Sequence, residues 1–166
     1  MRTALFAALI VAADQLTKYL AVTKLQSLRS VEIIPGFFNL SYVENPGAAW
    51  GILAGQRYVL VVFSLFSLAF IIWKQKKLFG HLKGYTIILS LIYGGILGNV
   101  IDRIRLACVI DFLDFHLGKS HFPAFNIADS AICCGAALFI LAEFMYSRNK
   151  SRTDNLHVAG SELPPQ

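Results

Sequence analysis

The chain has 166 residues, 56% of them hydrophobic and 15% charged, with a mean hydropathy of +0.59. A soluble domain carries roughly a quarter charged residues, so the composition excludes an ordinary water-soluble globule and points to an integral membrane protein. The net charge is +5, but the basic residues crowd beside apolar segments. That is the pattern of topology signals and anionic-lipid contacts rather than of nucleic-acid binding.

Met1 to Leu25 opens with Arg2, then an apolar run from Ala4 to Ala13, then Asp14-Gln15-Leu16-Thr17-Lys18. Arg2, the short apolar core and Val11-Ala12-Ala13 resemble a cleavable signal peptide. Tyr19-Leu20-Ala21-Val22 resumes the apolar pattern, so the segment reads as an uncleaved first transmembrane helix. Asp14 and Lys18 stand four apart on one face, acid first, the better orientation for an intrahelical pair. A neutralising pair inside a bundle is the expected role.

Gln26 to Gln56 is not membrane-like. Val31-Glu32-Ile33-Ile34, Pro35-Gly36 and Phe37 to Val43 read as two short β segments about a turn. Asn45-Pro46-Gly47-Ala48-Ala49-Trp50-Gly51 follows. The stretch is either an ordinary surface hairpin or a small extracytoplasmic platform on which an extended substrate adds a strand.

Tyr58 to Trp73 is the second helix, and Lys74, Lys76, Lys77 and Lys83 fill the connection after it. Tyr85 to Ile101 is the third; Gly94, Gly95 and Gly98 give it a small-residue face for close packing. Asn99 and Arg103 face one way near its end. Asn126 to Met145 is the fourth, followed by Arg148-Asn149-Lys150-Ser151-Arg152. The expected fold is all-α and membrane-embedded: four transmembrane helices with a β platform between the first two. Residues 1–147 form one domain, and 148–166 a cytoplasmic tail expected to be disordered. The basic clusters put both termini inside, so the platform and the Arg105–Ala124 loop lie outside. Cys108, Cys133 and Cys134 form no C-x-x-C, and the adjacent pair in an apolar run reads as small hydrophobes.

Asp111 follows the third helix and Asp129 lies in the first turn of the fourth, both at the same expected membrane surface. A carboxylate near a bilayer is costly and calls for a reason. Two that fold face to face can share a proton and act as an acid/base pair on a water molecule. Asn45, Asn99 and Asn126 are uncharged candidates to orient them. A proton relay in a transporter is a rival, although a relay wants acids stepped across the bilayer. A metallohydrolase using Asp111, Asp114, His116 and His121 is another, without recognised ligand spacing. Asp102 and Asp114 lie near the same membrane surface, and their replacement by asparagine is expected to leave substantial activity.

Five motifs decide between these readings: Asp14-Gln-Leu-Thr-Lys18, Asn45-Pro-Gly-Ala-Ala-Trp-Gly51, Gly94-Gly-Ile-Leu-Gly-Asn99-Val-Ile-Asp102-Arg103, Val109-Ile-Asp111-Phe112 and Phe125-Asn-Ile-Ala-Asp129. Together, and in this order over residues 10 to 135, they resemble the motif set of the bacterial lipoprotein signal peptidases (signal peptidase II). The resemblance implies an aspartic endopeptidase of the bacterial inner membrane, with its active site at the periplasmic face. It would remove signal peptides from prolipoproteins by cleaving before a diacylglyceryl-bearing cysteine. It further implies a catalytic dyad of Asp111 and Asp129, supporting or substrate-binding roles for Asp14, Lys18, Asn45, Asn99, Arg103 and Asn126, and no metal or cofactor. Its expected partners are prolipoproteins and membrane lipids, with no nucleic acid. Trp50 stands where the family more often has phenylalanine.

Overall fold

A computed structural model describes residues 2–161. In chain order it has α1 (Arg2–Leu25), β1 (Ser30–Ile34), β2 (Phe38–Asn45), a 3₁₀ turn (Ala49–Gly51), α2 (Arg57–Phe79), α3 (Tyr85–Leu106), β3 (Val109–Leu117), β4 (Ser120–His121) and α4 (Ile127–Ser161). Among the described residues, four helices are long and apolar enough to cross a membrane: Arg2–Leu25, Arg57–Phe79, Tyr85–Leu106 and the Ile127–Lys150 part of α4. Most large apolar side chains of α2, Val62, Phe63, Phe66 and Phe70 among them, are exposed, as expected for helices solvated by lipid chains.

α3 is the most buried helix and packs against the other three. The expected small-residue face explains this. A Cβ on Gly98 would lie 2.5 Å from Asp14 Oδ2, and one on Gly95 would run into the Ala128 carbonyl. Glycine at these positions lets α1 and α4 close on α3. The buried residues of α1 are Ala7, Asp14, Lys18, Ala21 and Leu25, a stripe at helical spacing. Asp14 and Lys18 therefore point into the bundle.

Outside the bundle lies an antiparallel sheet of order β1-β2-β3-β4. The expected hairpin is there as β1 and β2. The platform differs from expectation in its other half, because β3 and β4 come from the connection between α3 and α4. That stretch is the expected Arg105–Ala124 loop. Val109 to Leu117 has no period-2 alternation to betray a strand, because eight of its nine side chains are buried or half-buried. Ala21 and Leu25 of α1 pack with Tyr42, Ile110 and Phe112, which seats the sheet on the end of α1. Ala107, with φ of 65°, ends α3 and turns the chain into β3.

α4 continues to Ser161, into the stretch expected to be disordered. Its sequence has no glycine or proline between Ser147 and Val158 to stop a helix. Residues 162–166 of the expected tail lie outside the described residues.

Candidate active site

Asp111 and Asp129 line one cleft of about 450 Å³, with Asn45, Trp50, Asn99, Arg103 and apolar walls that include Val109, Phe122, Phe125 and Ile132. Their carboxylates reach it from different elements. Asp111 comes from β3, which pairs with β2 in a register of Val43 opposite Asp111. Asp129 sits in the first turn of α4. Asn126 binds both: its Nδ2 donates to Asp111 Oδ1 at 2.6 Å, and its backbone N–H to Asp129 Oδ2 at 3.2 Å. Its Oδ1 accepts from the Asp129 backbone N–H at 2.9 Å, the reciprocal bonding of a helix N-terminal box. The motif Phe125-Asn-Ile-Ala-Asp129 thus caps α4 and ties the two acids together.

The other amides complete the frame. Asn45 Nδ2 donates to Asp111 Oδ2 at 3.0 Å, and Asn99 Nδ2 to Asp129 Oδ1 at 2.7 Å. Burial, followed by the neighbouring charge of Asp129, pushes Asp111 up to about 7, against the opposing effect of the two asparagine donors. Carboxylates coupled in this way can hold a single proton between them. Arg103 donates from Nη2 to the Gly47 carbonyl at 2.9 Å and from Nη1 to the Asn99 carbonyl at 3.4 Å. It braces the Asn45–Gly51 loop over the cleft, where Trp50 is exposed and held at φ of 56°.

Asp14 and Lys18 form the expected pair, at 2.9 Å. Lys18 does more than neutralise Asp14, because its ammonium also lies 2.9 Å from Asp102 Oδ2 and 3.0 Å from Asn99 Oδ1. Asp14 Oδ1 accepts the Ala128 backbone N–H at 2.9 Å, which joins α1 to the first turn of α4. Asn45, Asn99, Arg103, Asp111 and Asp129 line the cleft, Asn126 and Lys18 are one hydrogen bond from it, and Asp14 reaches it through Lys18.

Asp102 and Asp114, expected near the same membrane surface as the dyad, are buried within the protein, 3% and 9% exposed. Asp102 also accepts from Gln15 Nε2 at 2.9 Å and from the Ile110 backbone N–H at 3.3 Å. Its position three after Asn99 in the third motif was the available sign, hidden because a polar residue at a helix end so often just reaches the interface. Asp114 is bonded to Ser41 at 3.0 Å and His121 at 2.8 Å. It stands three residues from Asp111, on the opposite face of β3. The ligand set of a metallohydrolase is thereby split, and no group of three such side chains among the described residues is arranged around a metal site. Cys133 lines the cleft, and all three cysteines are free thiols.

Comparison with known proteins points one way. Residues 6–145 match the family Peptidase_A8, described as "Signal peptidase (SPase) II". A "Lipoprotein signal peptidase" of Syntrophotalea carbinolica is 42% identical over 143 residues, 84% of this chain and 89% of that protein. One from Janthinobacterium sp. is 47% identical over 141 residues, 82% of this chain and 84% of that one. A solved structure titled as a bacterial membrane enzyme determined by the in meso method at 2.3 Å superposes with a TM-score of 0.76 at 35% identity, covering 89% of this chain and 90% of that one.

Proposed function

Because the chain belongs to the signal peptidase II family of membrane aspartic peptidases, we propose that it removes signal peptides from prolipoproteins with Asp111 and Asp129 as its catalytic dyad. The observation that carries the reading is the pair itself: two carboxylates in one cleft, bridged by Asn126 and framed by Asn45 and Asn99.

With Asp111 raised to about 7, Asp111 is suited to carry the proton that the pair holds between them, and Asp129 serves as the base. Asp129 then takes a proton from a water held between the two acids, and the resulting hydroxide attacks the scissile carbonyl. Asp111 donates its proton to the developing oxyanion. Collapse of the tetrahedral intermediate breaks the C–N bond, the leaving amine takes the proton held by Asp129, and one hydroxyl of the intermediate returns its proton to Asp111 as the carboxyl product forms. The protein frame is set before the reaction, so little reorganisation opposes it.

The apolar walls at Val109, Phe122, Phe125 and Ile132 suit a cysteine bearing a diacylglyceryl group better than a free polar peptide, and cleavage falls on the N-terminal side of that cysteine. Lys74, Lys76, Lys77 and Lys83 lie at one end of the spans and Asp111, Asp129 and the sheet at the other. By the positive-inside rule both termini are cytoplasmic in the bacterial inner membrane, and the cleft opens at its periplasmic face. The test is incubation of the purified protein with lipidated and unlipidated prolipoprotein, followed on a gel. Cleavage of the lipidated form alone supports the reading; no cleavage of either, or equal cleavage of both, defeats it.

A further inference from the structure

A buried ammonium needs one carboxylate for neutrality, and Lys18 already has Asp14. Asp102 supplies a second at the same 2.9 Å, with side chains on both sides of the contact only 4% exposed. A surplus buried carboxylate is expensive unless its oxygens are put to use. Oδ2 of Asp102 takes both Lys18 and the Ile110 backbone N–H, and Oδ1 takes the Gln15 amide.

We propose that Asp102 is a positioning residue for both acids of the dyad, acting on Asp129 through Lys18 and Asn99 and on Asp111 through the Ile110 backbone. The proposal rests on the dyad reading above and adds a residue to it. Its first arm depends on the shape of a carboxamide, whose oxygen and NH₂ ends are nearly interchangeable in size. Asn99 serves Asp129 only with NH₂ toward the carboxylate; the flipped amide would set oxygen against oxygen. What fixes the choice is the acceptor load on the other end, where Asn99 Oδ1 takes Lys18 Nζ at 3.0 Å and Asn126 Nδ2 at 3.3 Å.

An ammonium has three N–H directions. Asp14 takes one, Asp102 the second, and the third falls on Asn99. Without Asp102 the ammonium is free to turn toward Asp14, and the Asn99 amide loses the shorter of the two contacts that set its orientation. The second arm is shorter. Ile110 is held between Asp102 at its N–H and Asn126 Nδ2 at its carbonyl, 3.3 Å each. It directly precedes Asp111, so the anchor fixes the height of the Asp111 carboxylate in the cleft.

The variant to make is Asp102→Ala in the full-length protein. It leaves Lys18 paired with Asp14, so the bundle keeps a neutral pair and folds. Two readouts are needed. In detergent-solubilised protein labelled with ¹⁵N-asparagine, the side-chain NH₂ resonance missing from Asn99→Ala belongs to Asn99. That resonance should shift or broaden in Asp102→Ala. Cleavage of lipidated prolipoprotein should lose kcat on the order of 10-fold to 100-fold, the scale of a misplaced catalytic group, with KM unchanged. An unmoved Asn99 resonance overturns the proposal, as does wild-type kcat or a loss confined to KM. A fall in thermal stability with an unmoved resonance also overturns it, because Asp102 would then be a structural acid only. The resonance does not depend on catalysis, so its response separates failure of this proposal from failure of the dyad.

Discussion

Asp111 and Asp114 are the same residue type on the same strand, three positions apart, and their surroundings treat them oppositely. Asp111 faces the cleft, where burial and the charge of Asp129 push it up to about 7. Asp114 faces away. Burial raises it too, but hydrogen bonds from His121 and Ser41 outweigh that, and it ends below the usual carboxylate range. Burial acts in the same direction on both. Partners decide the outcome, and a carboxylate whose partner is another carboxylate becomes one that can carry a proton at neutral pH.

The largest effect should come from the cleft face. Asp111→Asn and Asp129→Asn are nearly isosteric changes that should insert and fold normally. Each should lower prolipoprotein cleavage by roughly 10³-fold or more, and the double variant should be little worse, because groups acting as a unit are non-additive. Asp114→Asn should keep substantial activity. Cleavage at a near-wild-type rate by either dyad variant, with the protein confirmed in the membrane, would end the comparison and the aspartic mechanism together.

If partners rather than burial decide, removing one should be costly wherever a charge stays buried. Lys18→Ala leaves both Asp14 and Asp102 without their cation, and breaking such a buried pair costs about 3–5 kcal/mol. Asp14→Ala leaves Lys18 paired with Asp102 and should cost less. Thermal unfolding in detergent gives the order; equal losses would show that Asp102 does not share the ammonium.

The two faces of β3 should also respond to pH with opposite signs. The folded state holds a proton on Asp111 that the unfolded chain releases between about 7 and the usual carboxylate range. This contribution therefore favours folding as pH falls through that window. Asp114 is lowered, so its contribution is present above the usual carboxylate range and is lost as pH drops below it. Unfolding curves of Asp111→Asn and Asp114→Asn against wild type isolate each slope, and slopes of one sign would refute the contrast. On the same ground, cleavage should decline as pH rises through about 7, where Asp111 loses its proton.

The smallest effect is at Ser41, one of the donors that hold Asp114 down. Ser41→Ala removes its hydrogen bond to the Asp114 carboxylate, worth roughly 1.5–3 kcal/mol, along with its contact to the Ser30 hydroxyl. Stability should fall within that range while cleavage persists, and a loss of cleavage instead would make the outer face part of the site.

What the sequence determined by itself was whatever has a local signature. Four apolar spans, the β1–β2 hairpin about Pro35-Gly36, the glycine face of α3 and the Asp14–Lys18 pair at helical spacing all follow from periodicity and composition within a few residues. The five motifs named the residues that meet in the cleft. Tertiary structure alone decided how they meet. β3 exists because β2 supplies its partner, with one extra β2 residue between Leu40 and Val43, and packing decides which face of β3, that of Asp111 or that of Asp114, meets the cleft. Asp102 became a buried member of the cluster only when α1 brought Gln15 and Lys18 to it, 87 and 84 residues away in the chain. Hydrogen bonds across such separations leave no period in a sequence, because the partner that satisfies a buried carboxylate is chosen by packing and not by its neighbours in the chain.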